Sequence, residues 1–290
     1  MKAQSRTLLE VEGLNIRYPT PRGAVEAVRN VSFTLGREKL GIVGESGSGK
    51  TQTGRAILRL TETHARVRAD KLHFDGIDLL AANEQTMRRI RGRRISMIMQ
   101  DPKYSLNPVM SVGEQIAEVF RVHSGAPARK ARRRAVEMLD SVRIRDPERV
   151  YRAYPHEVSG GMGQRIMIAM MMTPNPDIII ADEPTSALDV TVQLQVLALL
   201  DDMVSDNGMG LIFISHDLEL VASFCDRVVV MYAGQVVEVV DAGALHQARH
   251  PYTRGLLNCL PRIGTHGRDL PVLQRRSSWA AGISPRNRHA

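Results

Sequence analysis

Apolar and polar positions change their spacing several times along the 290 residues, and each change predicts an element. Between Leu8 and Leu35 two β-rich runs, LLEVEGLNIRY and AVEAVRNVSFTL, flank Pro19, Pro21 and Gly23, which predicts an antiparallel hairpin. The run LGIVG, from Leu40 to Gly44, lacks polar alternation, as a strand covered on both faces does. A glycine-rich turn and a helix-like stretch to Leu60 follow it. Apolar strands of the same type are predicted from Ile95 to Met99, Ile178 to Ala181, Leu211 to Ile214 and Val228 to Met231. Covered strands alternating with helices predict a mainly parallel sheet and an α/β fold.

Between Asp101 and Pro176 the pattern turns helical, through Val112 to His123, Lys130 to Val142 and Gln164 to Met172. The expected organisation is therefore one domain over 1–260, with a helical subdomain inserted at about 101–176 and an antiparallel β subdomain at its start. A basic tail over 261–290 follows, with six arginines against one aspartate and no sustained periodicity, and is expected to be poorly ordered.

A hydrophobic share of 43% excludes a disordered chain for most of this length. No apolar run approaches the roughly 18 residues of a membrane-spanning helix. No secretory signal precedes Leu9, so a cytoplasmic protein is expected. Cys225 and Cys259 have no metal or redox spacing and read as reduced thiols. The formal net charge of +8 owes much to the tail and to two arginine-rich runs, Arg88 to Arg94 and Arg129 to Arg134. Neither run has the interleaved aromatics of a single-strand surface; solvated faces or protein contacts are expected, and no nucleic-acid partner.

The chemistry begins at Gly44-Glu45-Ser46-Gly47-Ser48-Gly49-Lys50-Thr51, which matches GxxxxGK[ST] and lies between a predicted strand and a predicted helix. Glycines let backbone N–H groups turn inward toward phosphate oxygens, and the following helix adds its positive end. Lys50 is expected on the β and γ phosphates of ATP, and Thr51 on Mg²⁺. The strand from Ile178 ends in Asp182 and Glu183, which puts carboxylates at a strand tip, where open α/β sheets bind ligands. Asp182 suits a metal held through water, and Glu183 the activation of the water that attacks the γ phosphate.

A third element, Val158-Ser159-Gly160-Gly161-Met162-Gly163-Gln164-Arg165, resembles the SGGQ signature of the ATP-binding subunits of ABC transporters, and the resemblance spans most of the chain. It implies a P-loop NTPase core. It also makes Gln100 in MIMQDP the Q-loop glutamine near Mg²⁺, Asp189 a residue of the D-loop, His216 the switch histidine and Tyr18 the aromatic that stacks on adenine. Ser159, Gly160 and Gly161 open a helix with small side chains, suited to close approach by a phosphate. The family's head-to-tail dimer would close this signature on the nucleotide of a second, homologous or identical ATPase subunit.

QDPKYSLNP, IMIAMMMT and HPYTRGLL (His250 to Leu257) resemble the oligopeptide, dipeptide and nickel importer branch. The resemblance implies ATP hydrolysis that energises uptake of peptides or a related small solute. The partners it implies are two integral membrane permeases and, indirectly, an external solute-binding protein, with the chain at the cytoplasmic face of the inner membrane. Pro251 also fits the first turn of a helix. Gly163 stands where this branch usually has a basic residue, so Gly163→Arg is expected to raise turnover. The rival expectation is a soluble ATPase of a metabolic enzyme complex resembling the phosphonate-lyase assembly.

Overall fold

The computed structural model describes residues 6–21, 23–101, 105–186, 188–259 and 279. The chain divides into two compact units, 1–81 with 212–290, and 82–211.

In the first unit the hairpin forms as its pattern predicts. Strand β1 (Leu9–Thr20) pairs antiparallel with β2 (Gly23–Leu35), with bulges between Val11 and Arg17. The other edge of β1 takes β4 (Arg66–Arg68) and β5 (Lys71–Phe74), and β5 continues into β6 (Ile77–Asp78). Val11, Leu14, Ile16, Val31, Leu35, Leu72 and Phe74 are fully or almost fully buried, and each such side chain contributes about 1.5–3 kcal/mol relative to exposure. The three short strands have only two to four residues each and leave no periodic trace in the sequence.

A second layer of this unit holds β3 (Lys39–Val43), parallel to β10 (Arg227–Tyr232), which pairs antiparallel with β11 (Gln235–Asp241). Leu40, Ile42 and Val43 of β3 and Val228 to Met231 of β10 are buried, and the helix Leu218–Phe224 packs against both strands. Gly41 is what lets it approach: a Cβ there would lie 2.1 Å from Val221 and 3.2 Å from the Cys225 sulfur. Burial of Cys225 pushes its thiol up to about 12, with Lys39 opposing and Asp226 adding. Helix α1 (Lys50–Ile57) follows β3 directly through the glycine-rich turn.

In the second unit β7 (Ile95–Ile98) runs parallel to β8 (Ile178–Asp182), and every residue of both is buried. Helix α2 (Glu84–Ile90) is capped by Asn83. Helices α3 (Val112–Ser124), α4 (Ala128–Ser141), α5 (Pro147–Tyr151) and α6 (Gly160–Met172) supply the helical character read between Asp101 and Pro176. The arginines of α4 occupy its outer face, with Ala131, Ala135, Met138 and Leu139 buried, and Arg132 meets Glu148 at 2.8 Å. In the other arginine-rich run Arg91 meets Glu84 at 2.6 Å and Arg94 meets Asp177 at 2.7 Å. Helix α7 (Val190–Asp206) leads to strand β9 (Gly210–Ser215), and the chain then returns to the first unit. There α8 (Leu218–Phe224) and α9 (Pro251–Asn258) complete the helices among the described residues.

Candidate functional site

The turn from Gly44 to Thr51 joins the end of β3 to the start of α1, as the motif requires. Two of its glycines are required sterically. At Gly44 a Cβ would stand 2.1 Å from the Met231 carbonyl oxygen, and at Gly49, with φ of 96°, 2.5 Å from that of Ala27. The turn curls around Lys50, which is 5% exposed and donates through Nζ to the carbonyls of Gly44 at 2.8 Å and Glu45 at 2.9 Å. Ser48 donates its N–H to the same Glu45 oxygen at 3.1 Å. Its own hydroxyl is buried, lies 2.8 Å from where a Gly44 Cβ would be, and has no hydrogen-bond partner. A buried ammonium and a partnerless hydroxyl thus lie over the same glycine. A buried polar atom normally finds a partner, so this one is suited to a ligand oxygen. Ser46 and Gly47 are exposed at the rim, and Thr51 lies in the first turn of α1.

Tyr18, on β1, donates its hydroxyl to Gln52 Oε1 of α1 at 2.5 Å and meets His64 edge-on, with ring centroids 5.5 Å apart. This puts the ring beside the helix that follows the phosphate loop. Burial and the nearby Glu62 raise its hydroxyl above the usual tyrosine value, against Arg55.

The second unit holds two further groupings. Asp182 is the last residue of β8 and 4% exposed. Glu183 follows in the left-handed region, φ 46°, a conformation that costs a non-glycine residue energy and is held here by the tight turn to Ser186. Ser186 donates to the Glu183 carbonyl through N–H at 3.3 Å and through Oγ at 3.2 Å. Gln100, which lies just past β7, donates its side-chain amide to Glu183 Oε2 at 2.9 Å and lies 3.5 Å from Ser186 Oγ. The strained turn therefore presents a carboxylate already contacted by an amide from the neighbouring strand.

The other grouping is an open cleft of about 370 Å³ lined by Ser159, Gly160, Gly161, Arg165, Leu188 and Asp189, among others. Ser159 caps α6 by accepting the Met162 N–H at 3.3 Å, and Asp189 caps α7 by accepting the Val192 N–H at 3.0 Å. Two helix N-termini thus border one cleft, each carrying the positive end of its backbone dipole. Gly161 is what permits it, since a Cβ there would lie 2.7 Å from Val192. Gly163 is buried on α6. His216 follows β9 and is exposed, one residue before Asp217, which caps α8.

A model described as ABC transporter matches residues 28–186, more than half of the chain. The chain belongs to the ABC transporter family. Within it, the oligopeptide transport ATP-binding protein OppD of Salmonella typhimurium is 46% identical over 268 residues, 92% of this chain and 80% of that protein. A putative peptide import ATP-binding protein of Brucella abortus is also 46% identical, over 92% of this chain and 81% of its own length. The glutathione import ATP-binding protein GsiA of Salmonella typhimurium is 48% identical over 92% of this chain, which spans only 44% of that longer protein. Among solved structures, the dimeric structure of a bacterial ABC transporter cassette aligns with a TM-score of 0.72 at 25% identity. That alignment covers 81% of this ABC family member and 99% of the cassette. No helix among the described residues is long and apolar enough to cross a membrane.

Two roles have no counterpart in the sequence reading: Ser186 braces the Glu183 turn, and the Tyr252 hydroxyl accepts the Glu45 N–H at 3.1 Å. Ser186 opens the run Ser186 to Asp189 that resembles the D-loop, but the resemblance gives its hydroxyl no role. For Tyr252 the motif HPYT was the one signal, and it read as a helix start.

Proposed function

We propose that this chain is the ATP-hydrolysing subunit of an importer of peptides or a related small solute. It acts as one half of a head-to-tail pair of ATPase subunits bound to two membrane permeases, with an external solute-binding protein upstream. The observation that carries the reading is the phosphate loop, where Lys50 and the unpartnered Ser48 hydroxyl lie over Gly44. The import direction and the solute class rest on the relatives, which are named as peptide and glutathione import proteins.

In this reading the loop from Gly44 to Thr51 holds the phosphates, with Glu45, Ser46, Gly47 and Gly49 supplying backbone, and Tyr18 stacks on adenine. Thr51, Gln100 and Asp182 would hold Mg²⁺. Their donor set is all oxygen, as that ion requires. Gln100 also donates its N–H to Glu183, which leaves the amide oxygen as the group to face a cation. When bound, the ion would neutralise charge on the β and γ phosphates. Glu183 takes the proton of the attacking water as its oxygen bonds to the γ phosphorus and the bridging β–γ bond breaks. His216 holds the γ phosphate, and Ser159, Gly160, Gly161 and Asp189 meet the nucleotide across the pair.

The test is purification of the tagged chain from membranes and from cytosol, with phosphate release measured on each fraction. The reading expects ATPase activity in a detergent extract together with two integral membrane proteins. Recovery with cytosolic metabolic enzymes alone would favour the rival soluble assembly.

A further inference from the structure

Helix α9, the last among the described residues, reaches the phosphate loop. Its start is pinned to β11 by Glu238, whose carboxylate accepts the N–H of Arg249 at 2.6 Å and that of His250 at 3.2 and 3.3 Å. Pro251 opens the first turn, and His250 Nδ1 accepts the Tyr252 N–H at 3.2 Å. Tyr252 is thereby fixed and wholly buried, its ring 4.5 Å from that of Tyr232 and 5.9 Å from that of Trp279.

The Tyr252 hydroxyl accepts the N–H of Glu45 at 3.1 Å. That N–H belongs to the same peptide group as the Gly44 carbonyl, which accepts from Lys50 Nζ at 2.8 Å. The group is planar and trans, so its N–H and C=O point in opposite directions. One peptide plane at the mouth of the loop is therefore gripped from one side by Tyr252 and from the other by Lys50.

We propose that Tyr252 is a positioning residue for the phosphate loop: its hydroxyl fixes the Gly44–Glu45 peptide and, through it, the seat of the Lys50 ammonium. The proposal rests on the nucleotide-binding reading above and adds to it a residue 207 positions from the loop. Loss of the hydroxyl loosens the peptide and with it the carbonyl that seats Lys50, and nucleotide must reorder both on arrival.

Tyr252→Phe keeps the ring and removes the hydroxyl that accepts the Glu45 N–H. In the full chain with its cognate subunits, the dissociation constant for ATP is expected to rise about three- to tenfold, as for the loss of one hydrogen bond. KM for ATP is expected to rise by more than kcat falls. Trp279, the one tryptophan of the chain, stands beside the phenol, and its emission is expected to respond to ATP less in the variant than in the parent. A purely structural role would lower the unfolding midpoint without nucleotide and leave ATP affinity unchanged, which overturns the proposal. So does a fall in kcat at constant KM. Unaltered affinity in the variant, with normal binding by the parent, leaves the nucleotide reading standing. A parent chain that binds no ATP overturns both.

Discussion

The side-chain amide of Gln100 donates to the carboxylate of Glu183 at 2.9 Å, across 83 residues of sequence. The same carboxylate sits on a left-handed residue braced by Ser186, so its direction is set twice over. Glu183→Gln keeps the shape and removes the carboxylate proposed as the base. Phosphate release is expected to fall by about 10²- to 10⁴-fold, with ATP still bound. Single-turnover phosphate release beside a nucleotide-binding titration checks this, and undiminished turnover removes Glu183 from the chemistry.

Lys50→Ala takes the ammonium away from two loop carbonyls and from the phosphates it is read to hold. The expected result is loss of at least about tenfold in ATP affinity and of the rise in unfolding temperature that ATP gives the parent chain. Differential scanning fluorimetry with and without ATP reads it directly.

Gly49→Ala asks a side chain to adopt a φ of 96° and to stand 2.5 Å from the Ala27 carbonyl oxygen. A destabilisation of about 2 kcal/mol or more is expected from strain and clash together. Urea unfolding measures it, and a change below about 0.5 kcal/mol would contradict the geometry described.

Asp189 has a capping role that can be separated from any chemical one. Asn caps as well as Asp does, so Asp189→Asn should hold stability level while Asp189→Ala loses about 1 kcal/mol. If the carboxylate also acts across the subunit pair, turnover falls in both variants. Equal stability of Asn and Ala would show that the cap contributes nothing.

The Cys225 thiol gives the alkaline limb of stability a definite sign. Its folded value of about 12 lies above the ordinary thiol value of 9.0, so the folded chain keeps a proton that the unfolded chain gives up. Stability from this group is complete below pH 9 and is lost as pH rises toward 12, by about 4 kcal/mol across the window. Cys225→Ala should flatten that limb in denaturant titrations from pH 8 to 11. An unchanged slope would mean that the thiol is not buried as described.

Local chemistry made much of this molecule legible in advance. The strands at Ile178–Asp182 and Gly210–Ser215 announce themselves because both faces are covered, and the phosphate loop because a fixed run of glycines precedes Lys50. Helix Glu84–Ile90 escaped notice because only Met87 and Ile90 point inward, too few to set a period. The contact of Tyr252 with Glu45 was illegible for another reason. Its acceptor meets a backbone N–H, which has no residue identity to read, and the fold alone brings the two together.

The close packing of Val221 and Cys225 over Gly41 also has a practical side. With that thiol sealed and held protonated, Cys259, partly exposed at the end of α9, is the natural attachment point for a maleimide dye or nitroxide. The unmodified chain thus offers a spectroscopic handle at the end of the helix that touches the phosphate loop.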